Sequence, residues 1–91
     1  MSYIVSFTPE AKKVLSKIKK SNQRLWKKTE KILHELVETP KTGTGHPEPL
    51  KGGNAITYSR RLSAHDRIIY DIHEDHLIVL VLQLEGHYND K

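Results

Sequence analysis

The stretch AITYSRRLSAHDRIIYDIHEDHLIVLVLQL, residues 55 to 84, decides the fold of this protein. It holds three runs rich in β-branched, aromatic and other apolar residues, at 55–62, 67–73 and 76–84, separated by four and two residues. Runs of this composition with such short connections predict three strands joined as antiparallel hairpins, a β-meander. The third run is apolar on both faces, which favours an interior strand of the sheet.

The chain before this stretch predicts one more strand and a hairpin of two helices. Residues 2–7 have the composition of a short strand, and residues 8–10, Thr-Pro-Glu, combine a hydroxyl cap, a first-turn proline and an acid. A second cap at residues 21–22, Ser-Asn, starts a longer helix that should end before the Thr-Pro pair at 39–40. The order strand, two-helix hairpin, antiparallel β-meander defines an α+β fold whose helices cover one face of the sheet.

Length and composition narrow the class of protein. Ninety-one residues suit one domain, spanning 1–91. The chain has no cysteine, which excludes disulfides and zinc sites built on thiolates. Its N-terminus lacks the pattern of a signal peptide, and no segment is long and apolar enough to span a bilayer. We therefore expect a soluble, cytoplasmic protein that does not associate with membranes.

Positive charge is concentrated in the predicted helices. The formal net charge is +4, and residues 8–38 contain nine Lys and Arg but only four Glu. Such a field attracts polyanions such as nucleic acid, or an acidic protein partner. The alternative is an ordinary solvated helix surface.

Glu48 is the first candidate for chemistry. It lies in a loop, residues 41–54, that is too rich in Gly and Pro for regular structure. Its neighbours Pro47 and Pro49 restrict its backbone to an extended conformation. A carboxylate held in this way suits a general base, and Lys51 is close enough in sequence to tune it or to bind a phosphate. The alternative is a rigid turn with a solvated glutamate.

Arginines of the predicted meander are the second group of candidates. Alternation places Arg60 and Arg61 on opposite faces of their strand, and Arg67 begins the next strand across a short turn. Two arginines from adjacent strands can converge on one anion such as a phosphate. The alternative is that they pair with nearby carboxylates, Asp66, Asp71 or Glu85.

His87 and Tyr88 complete the candidate set directly after the last strand. Histidine is the usual proton donor near neutral pH, and tyrosine can stack on a base or donate a hydrogen bond. A carboxylate, a histidine and several arginines suffice for metal-free RNA cleavage, in which a 2′-hydroxyl attacks the adjacent phosphate. His73 and His76 flank a turn without a third ligand, so we expect no metal site and no cofactor.

Three motifs carry a resemblance to a known family. GTGHPEPLK at 43–51, YSRRLSAHDRIIY at 58–70 and GHY at 86–88 resemble, in order and spacing, the Txe/YoeB family of bacterial toxins within the RelE superfamily. The resemblance covers the whole chain and implies a RelE/ParE-like, microbial-ribonuclease-like α+β fold. It also implies a toxin of a type II toxin–antitoxin system, an endoribonuclease (mRNA interferase) that cleaves messenger RNA in the ribosomal A site and inhibits translation.

The resemblance also implies a role for each matching residue. Glu48 corresponds to the general base, His87 to a general acid, Tyr88 to an aromatic contact beside it, and Arg67 to the residue that stabilises the scissile phosphate. Supporting cations at the phosphate would be Lys51, Arg61 and Arg60. Lysines of the helices would face ribosomal RNA, namely Lys12, Lys13, Lys19, Lys20, Lys27 and Lys28.

The partners implied by the resemblance are the 70S ribosome with its mRNA and a cognate antitoxin of the YefM/Axe type. The antitoxin is expected to cover the open sheet face or the site, and the free toxin could form a homodimer. Asp66 departs from the family pattern, in which a histidine often stands there, and it could pair with Arg67. The alternative function on the same scaffold is a non-catalytic, gyrase-poisoning toxin that resembles the ParE branch.

Overall fold

The computed structural model describes residues 2–50 and 56–86, which form two helices and a five-stranded sheet. The elements in chain order are β1 (Ile4–Phe7), α1 (Pro9–Ser21), α2 (Gln23–Glu38), β2 (Glu48–Pro49), β3 (Thr57–Arg61), β4 (Arg67–His73) and β5 (Ile78–Glu85). The spatial order of the strands is β1-β5-β4-β3-β2. The predicted α+β fold, with a helix hairpin followed by the antiparallel meander β3-β4-β5, is confirmed.

Both helices begin at the predicted caps. The Thr8 hydroxyl accepts a hydrogen bond from the Ala11 N–H at 3.1 Å, and the Asn22 side chain accepts one from the Leu25 N–H at 3.1 Å. Each cap satisfies one N–H group that has no partner inside the helix. Helix α2 ends at Glu38, before the Thr-Pro pair, as expected.

The helices pack their apolar stripes on one face of the sheet. The buried core joins residues of both helices to alternate residues of β4 and β5 and to the residue that follows β3; it includes Ala11, Val14, Ile18, Ile32, Leu36, Leu62, Ile68, Tyr70, Ile72, Val79 and Val81. Because successive side chains of a strand point to opposite faces, the residues between these positions lie on the uncovered face. Neither helix in the described ranges is long and apolar enough to cross a membrane.

The structure differs from the sequence prediction at both edges of the sheet. Strand β1 pairs with β5 in parallel, with Ile4 opposite Ile78, so the sheet is mixed rather than wholly antiparallel. The loop predicted to lack regular structure contains β2, in which Glu48 is paired with Ser59 and Pro49 with Tyr58. A proline has no N–H for the ladder and is tolerated on an edge strand, and its fixed φ is compatible with extended backbone.

Candidate functional site

A small cleft lies on the uncovered face, at the edge of the sheet formed by β2. Its volume is about 80 Å³, and its lining is polar or glycine throughout: Gly45, His46, Glu48, Ser59, Arg61 and Arg67. The cleft therefore brings together three of the predicted site residues, Glu48, Arg61 and Arg67, from three adjacent strands.

Strand pairing explains how these residues meet. Glu48 is the register partner of Ser59, and Arg61 is the partner of Arg67. Ser59 and Arg61 are two residues apart on β3 and so project from the same face. The carboxylate and the two guanidinium groups are thus placed by backbone hydrogen bonding of the sheet, which is a rigid support.

The two arginines form an exposed pair of like charges. Like charges directly opposite each other on adjacent strands destabilise a sheet. Within the described chain no ion pair neutralises either arginine, and the carboxylates named above as alternative partners accept hydrogen bonds from other residues. Asp66 accepts a hydrogen bond from the Ser63 hydroxyl, and Asp71 accepts one from the Thr57 hydroxyl at 2.6 Å. Glu85 accepts one from the Gln83 amide at 3.0 Å. A bound anion would relieve this repulsion, since both cations line one cleft.

Glu48 is exposed at the rim of the same cleft. No hydrogen bond or ion pair to another residue of 2–50 or 56–86 occupies its carboxylate. Its backbone, by contrast, is held in β2 against β3. A fixed backbone with an unoccupied carboxylate is the arrangement that a general base or an orienting acceptor requires.

The turn before β2 is fastened to the end of β3. The Arg61 N–H donates to the Gly45 carbonyl oxygen at 2.7 Å. Gly45 has a φ of +85°, and a Cβ atom there would lie 2.5 Å from the Arg61 carbonyl oxygen. Only glycine fits such a close approach in this backbone conformation, so Gly45 allows the chain to deliver Glu48 beside Arg61.

Arg60 is not a residue of the cleft, and the expectation that it binds phosphate is wrong. Arg60 is 1% exposed and lies on the helix-covered face of β3. Its Nε donates to the Tyr70 hydroxyl at 3.0 Å, and its Nη1 is 2.7 Å from Glu35 Oε1. Its Nη2 donates to the carbonyl oxygens of Thr39 and Thr42, both at 2.7 Å. A guanidinium so fully bonded inside the protein cannot reach a substrate.

The Arg60 contacts form a polar network that holds the loop between α2 and β2. Glu35 also accepts from the Thr44 N–H at 2.8 Å and from the Thr44 hydroxyl at 2.7 Å. The Tyr70 hydroxyl donates to the Pro40 carbonyl oxygen at 2.8 Å. Burial raises the pKa of Tyr70, although the hydrogen bond from Arg60 opposes that effect. The network therefore anchors residues 39–44, which lead directly into the cleft at Gly45.

The network should make the protein sensitive to acid. Burial raises the pKa of Glu35, but the Thr44 and Arg60 contacts outweigh it and leave the pKa below the ordinary value of 4.5. A carboxyl group with a lowered folded pKa contributes stability above its unfolded pKa and loses it as pH falls through the folded pKa. We expect Glu35→Gln to be less stable than the parent at neutral pH, with the difference shrinking as pH falls.

Urea unfolding of both proteins from about pH 7 to about pH 3 would measure this difference. Glu38→Gln is the control, because Glu38 lies on the same helix but is exposed and bonds only the Ser2 hydroxyl in the described chain. A gap between parent and Glu35→Gln that stays constant over the whole range would contradict the prediction.

The predicted ribosome-facing lysines lie on the helices, in the layer opposite the cleft. Lys12, Lys13, Lys19, Lys20 and Lys27 are exposed, whereas Lys28 is half-buried. Lys28 lines a second cleft with Arg24 and Leu62. Lys19 also lies over the ring of half-buried Trp26, with its Nζ 5.7 Å from the ring centroid.

Three predicted site residues, Lys51, His87 and Tyr88, lie outside the described residues. The described chain ends at Gly86, just after Glu85, which is the register partner of Arg67. The described ranges contain no group of three or more His, Cys, Asp or Glu residues able to hold a metal ion.

Comparison with solved structures of the same fold shows which class of protein the chain belongs to. A YoeB/ParE toxin from Agrobacterium tumefaciens superposes with a TM-score of 0.83 and 28% identity, over 93% of this chain and 99% of that one. The toxin in a YoeB–YefM complex from Staphylococcus aureus superposes with a TM-score of 0.78 and 25% identity, over 97% of this chain and 100% of that one. The fold and these likenesses define a toxin of the type found in toxin–antitoxin systems.

Sequence comparison then gives the family. The sequence profile of the YoeB-like toxin of bacterial type II toxin–antitoxin systems matches residues 7–88, and the chain belongs to this family. A Toxin YoeB from Streptomyces coelicolor is 31% identical over 68 residues, which cover 75% of this chain and 79% of that protein. The resemblance identified from the three sequence motifs is confirmed.

Proposed function

We propose that this toxin is a ribosome-dependent endoribonuclease that cleaves messenger RNA in the A site by metal-free acid–base chemistry. The observation that carries the proposal is the cleft, where the exposed Glu48 carboxylate, which bonds no residue of the described ranges, lies with two exposed arginines of like charge. Such a site can take a proton and stabilise a developing negative charge without a metal.

The proposed reaction gives each group one role. The Glu48 carboxylate removes the proton of the 2′-hydroxyl, whose oxygen attacks the adjacent phosphorus. Arg67 stabilises the charge of the phosphorane, and Arg61 and Lys51 support it. His87 protonates the departing 5′-oxygen, and Tyr88 contacts the RNA beside it. The products are a 2′,3′-cyclic phosphate and a 5′-hydroxyl.

The helices supply the proposed contact with the ribosome. Exposed lysines lie on the layer away from the cleft, so ribosomal RNA could bind there while messenger RNA enters the cleft. Each lysine that neutralises an RNA phosphate releases a condensed counterion, which makes such binding dependent on salt. We place the activity in the cytoplasm, where ribosomes are, with residues 1–91 acting as one domain.

The proposed regulator is a cognate antitoxin. The likeness to the toxin of the Staphylococcus aureus YoeB–YefM complex supports a YefM-like partner for this chain. An acidic, partly disordered segment would complement the basic surface and fold on binding. A homodimer of the free toxin is a further proposed state.

Cleavage of a defined mRNA by the purified protein, with and without programmed ribosomes, tests the function. We expect a cut within the A-site codon only when ribosomes are present, with a 2′,3′-cyclic or 3′-phosphate at the new end. Primer extension locates the cut, and end-specific enzymatic labelling identifies the ends.

Two results would contradict this proposal. Cleavage of free RNA at the same rate as ribosome-bound mRNA would show that the reaction does not depend on the ribosome. A protein that arrests growth but cuts no RNA in either reaction would favour the gyrase-poisoning alternative, which is then tested by DNA supercoiling.

A further inference from the structure

Ser59 is a buried hydroxyl in the floor of the cleft that has no partner inside the described parts of the protein. Its exposed fraction is 9%, and it lines the cleft with Glu48 and the arginine pair. Its hydroxyl makes no hydrogen bond to any residue of 2–50 or 56–86. Because Ser59 lines the open cleft, a ligand there, rather than another residue of the described ranges, can satisfy its hydroxyl.

The register of the sheet places the Ser59 side chain between the negative charge of Glu48 and the positive charge of the two arginines. Ser59 is the partner of Glu48 across the β2–β3 ladder and precedes Arg61 by two residues on the same face. An anion held by Arg61 and Arg67 would therefore lie next to the Ser59 side chain. A hydroxyl in that position can donate a hydrogen bond to an anionic oxygen.

We propose that Ser59 is a further substrate-binding residue, whose hydroxyl donates a hydrogen bond to a non-bridging oxygen of the phosphodiester held by Arg61 and Arg67. The phosphodiester as ligand rests on the proposed ribonuclease function. The anion-binding role itself rests on a hydroxyl that bonds no described residue and on the two cations that line the cleft with it.

Thr57 provides a matched control on the same strand. It lies two residues from Ser59 on the same face, but its hydroxyl donates to Asp71 Oδ1 at 2.6 Å. One hydroxyl is thus used by the fold, and the other is available to a ligand. Removing the Ser59 hydroxyl should therefore weaken binding but not stability, and removing the Thr57 hydroxyl should weaken stability but not binding.

The substitutions are Ser59→Ala and Thr57→Val, each compared with the parent by melting temperature and by NMR titration with adenosine 3′-monophosphate. Ser59→Ala should leave the melting temperature nearly unchanged, because the hydroxyl makes no hydrogen bond to a described residue. It should weaken binding of the nucleotide about tenfold, the loss of one hydrogen bond to a charged group. Thr57→Val should lower the melting temperature and leave binding unchanged.

Several outcomes would overturn the assignment. Unchanged nucleotide affinity in Ser59→Ala would show that the Ser59 hydroxyl does not contact the nucleotide. A fall in the melting temperature of Ser59→Ala as large as that of Thr57→Val would show that the hydroxyl has a structural partner. If the nucleotide causes no saturable NMR chemical-shift changes at Ser59, Arg61 and Arg67 of the parent protein, the proposed anion site is wrong.

Cleavage assays separate this inference from the proposed function. If the parent cuts ribosome-bound mRNA, Ser59→Ala should cut it about tenfold more slowly at subsaturating toxin, because the lost hydrogen bond weakens binding of substrate and transition state alike. If the parent cuts nothing but Ser59→Ala still binds the nucleotide about tenfold more weakly, the ribonuclease proposal fails and the anion site stands.

Discussion

Replacing Glu48 by glutamine is expected to slow cleavage of ribosome-bound mRNA by about 10²- to 10⁴-fold, the usual contribution of a general base. Glutamine has the same shape but cannot accept the proton. The exposed Glu48 carboxylate has no partner in the described chain, so the free energy of unfolding should change by less than about 0.5 kcal/mol. The measurement is the single-turnover rate at saturating toxin, together with urea unfolding of each protein.

Glu85→Gln is the control for charge alone. Glu85 is exposed and is the register partner of Arg67 on the other side of β4. Its replacement makes the same change in net charge beside the same arginine, but it removes no group from the cleft. We expect Glu85→Gln to cleave at nearly the parent rate. Equal losses in the two variants would mean that negative charge near Arg67, rather than proton transfer, explains the effect of Glu48.

The core of the fold could be predicted because its signals are local. Alternating apolar residues and short turns define the meander, and hydroxyl and amide caps define both helix starts. The parallel pairing of β1 with β5 joins residues such as Ile4 and Ile78, which are far apart in sequence. Only tertiary packing determines which free edge a short strand joins, so the pattern of residues 2–7 could not reveal it.

The site was predicted only in part, and the adjacent arginines show why. Alternation placed Arg60 on the same face as Tyr58 and Leu62, which was a signal of burial. The sequence did not show that Glu35 and the carbonyl groups after α2 would surround the Arg60 guanidinium. Ser59 was missed because a single serine in a strand has no pattern. Its importance depends on its burial and on its place in the lining of the cleft, which are properties of the folded chain.

Replacing Arg60 by methionine is expected to destabilise the protein by about 3–5 kcal/mol, the cost of removing one member of a buried ion pair. Methionine has a similar length but cannot donate a hydrogen bond. Glu35 would lose its cation, and the carbonyl oxygens of Thr39 and Thr42 would lose the donor that holds them. Arg60→Lys should recover only part of the loss, because one ammonium group cannot match the planar fork of donors. Urea unfolding measures each variant.

Arg61→Met is the matched control, since it removes the same charge from the next residue of the same strand. The Arg61 side chain is exposed, makes no hydrogen bond or ion pair with a residue of 2–50 or 56–86, and is the register partner of Arg67. Its loss should change stability by less than about 0.5 kcal/mol, or raise stability slightly by relieving repulsion. It should instead weaken nucleotide binding in the cleft, which Arg60→Lys should affect less.

A double-mutant cycle between Arg60→Met and Glu35→Met would test the network itself. The two side chains are in contact, so we expect a coupling free energy of about 1–3 kcal/mol. Equal destabilisation by Arg60→Met and Arg61→Met, or additive effects in the cycle, would contradict this account. The expected result gives the two neighbouring arginines different roles. Arg60 stabilises the loop that leads to Gly45. The Arg61 N–H binds the Gly45 carbonyl, and the Arg61 side chain presents its charge to the ligand.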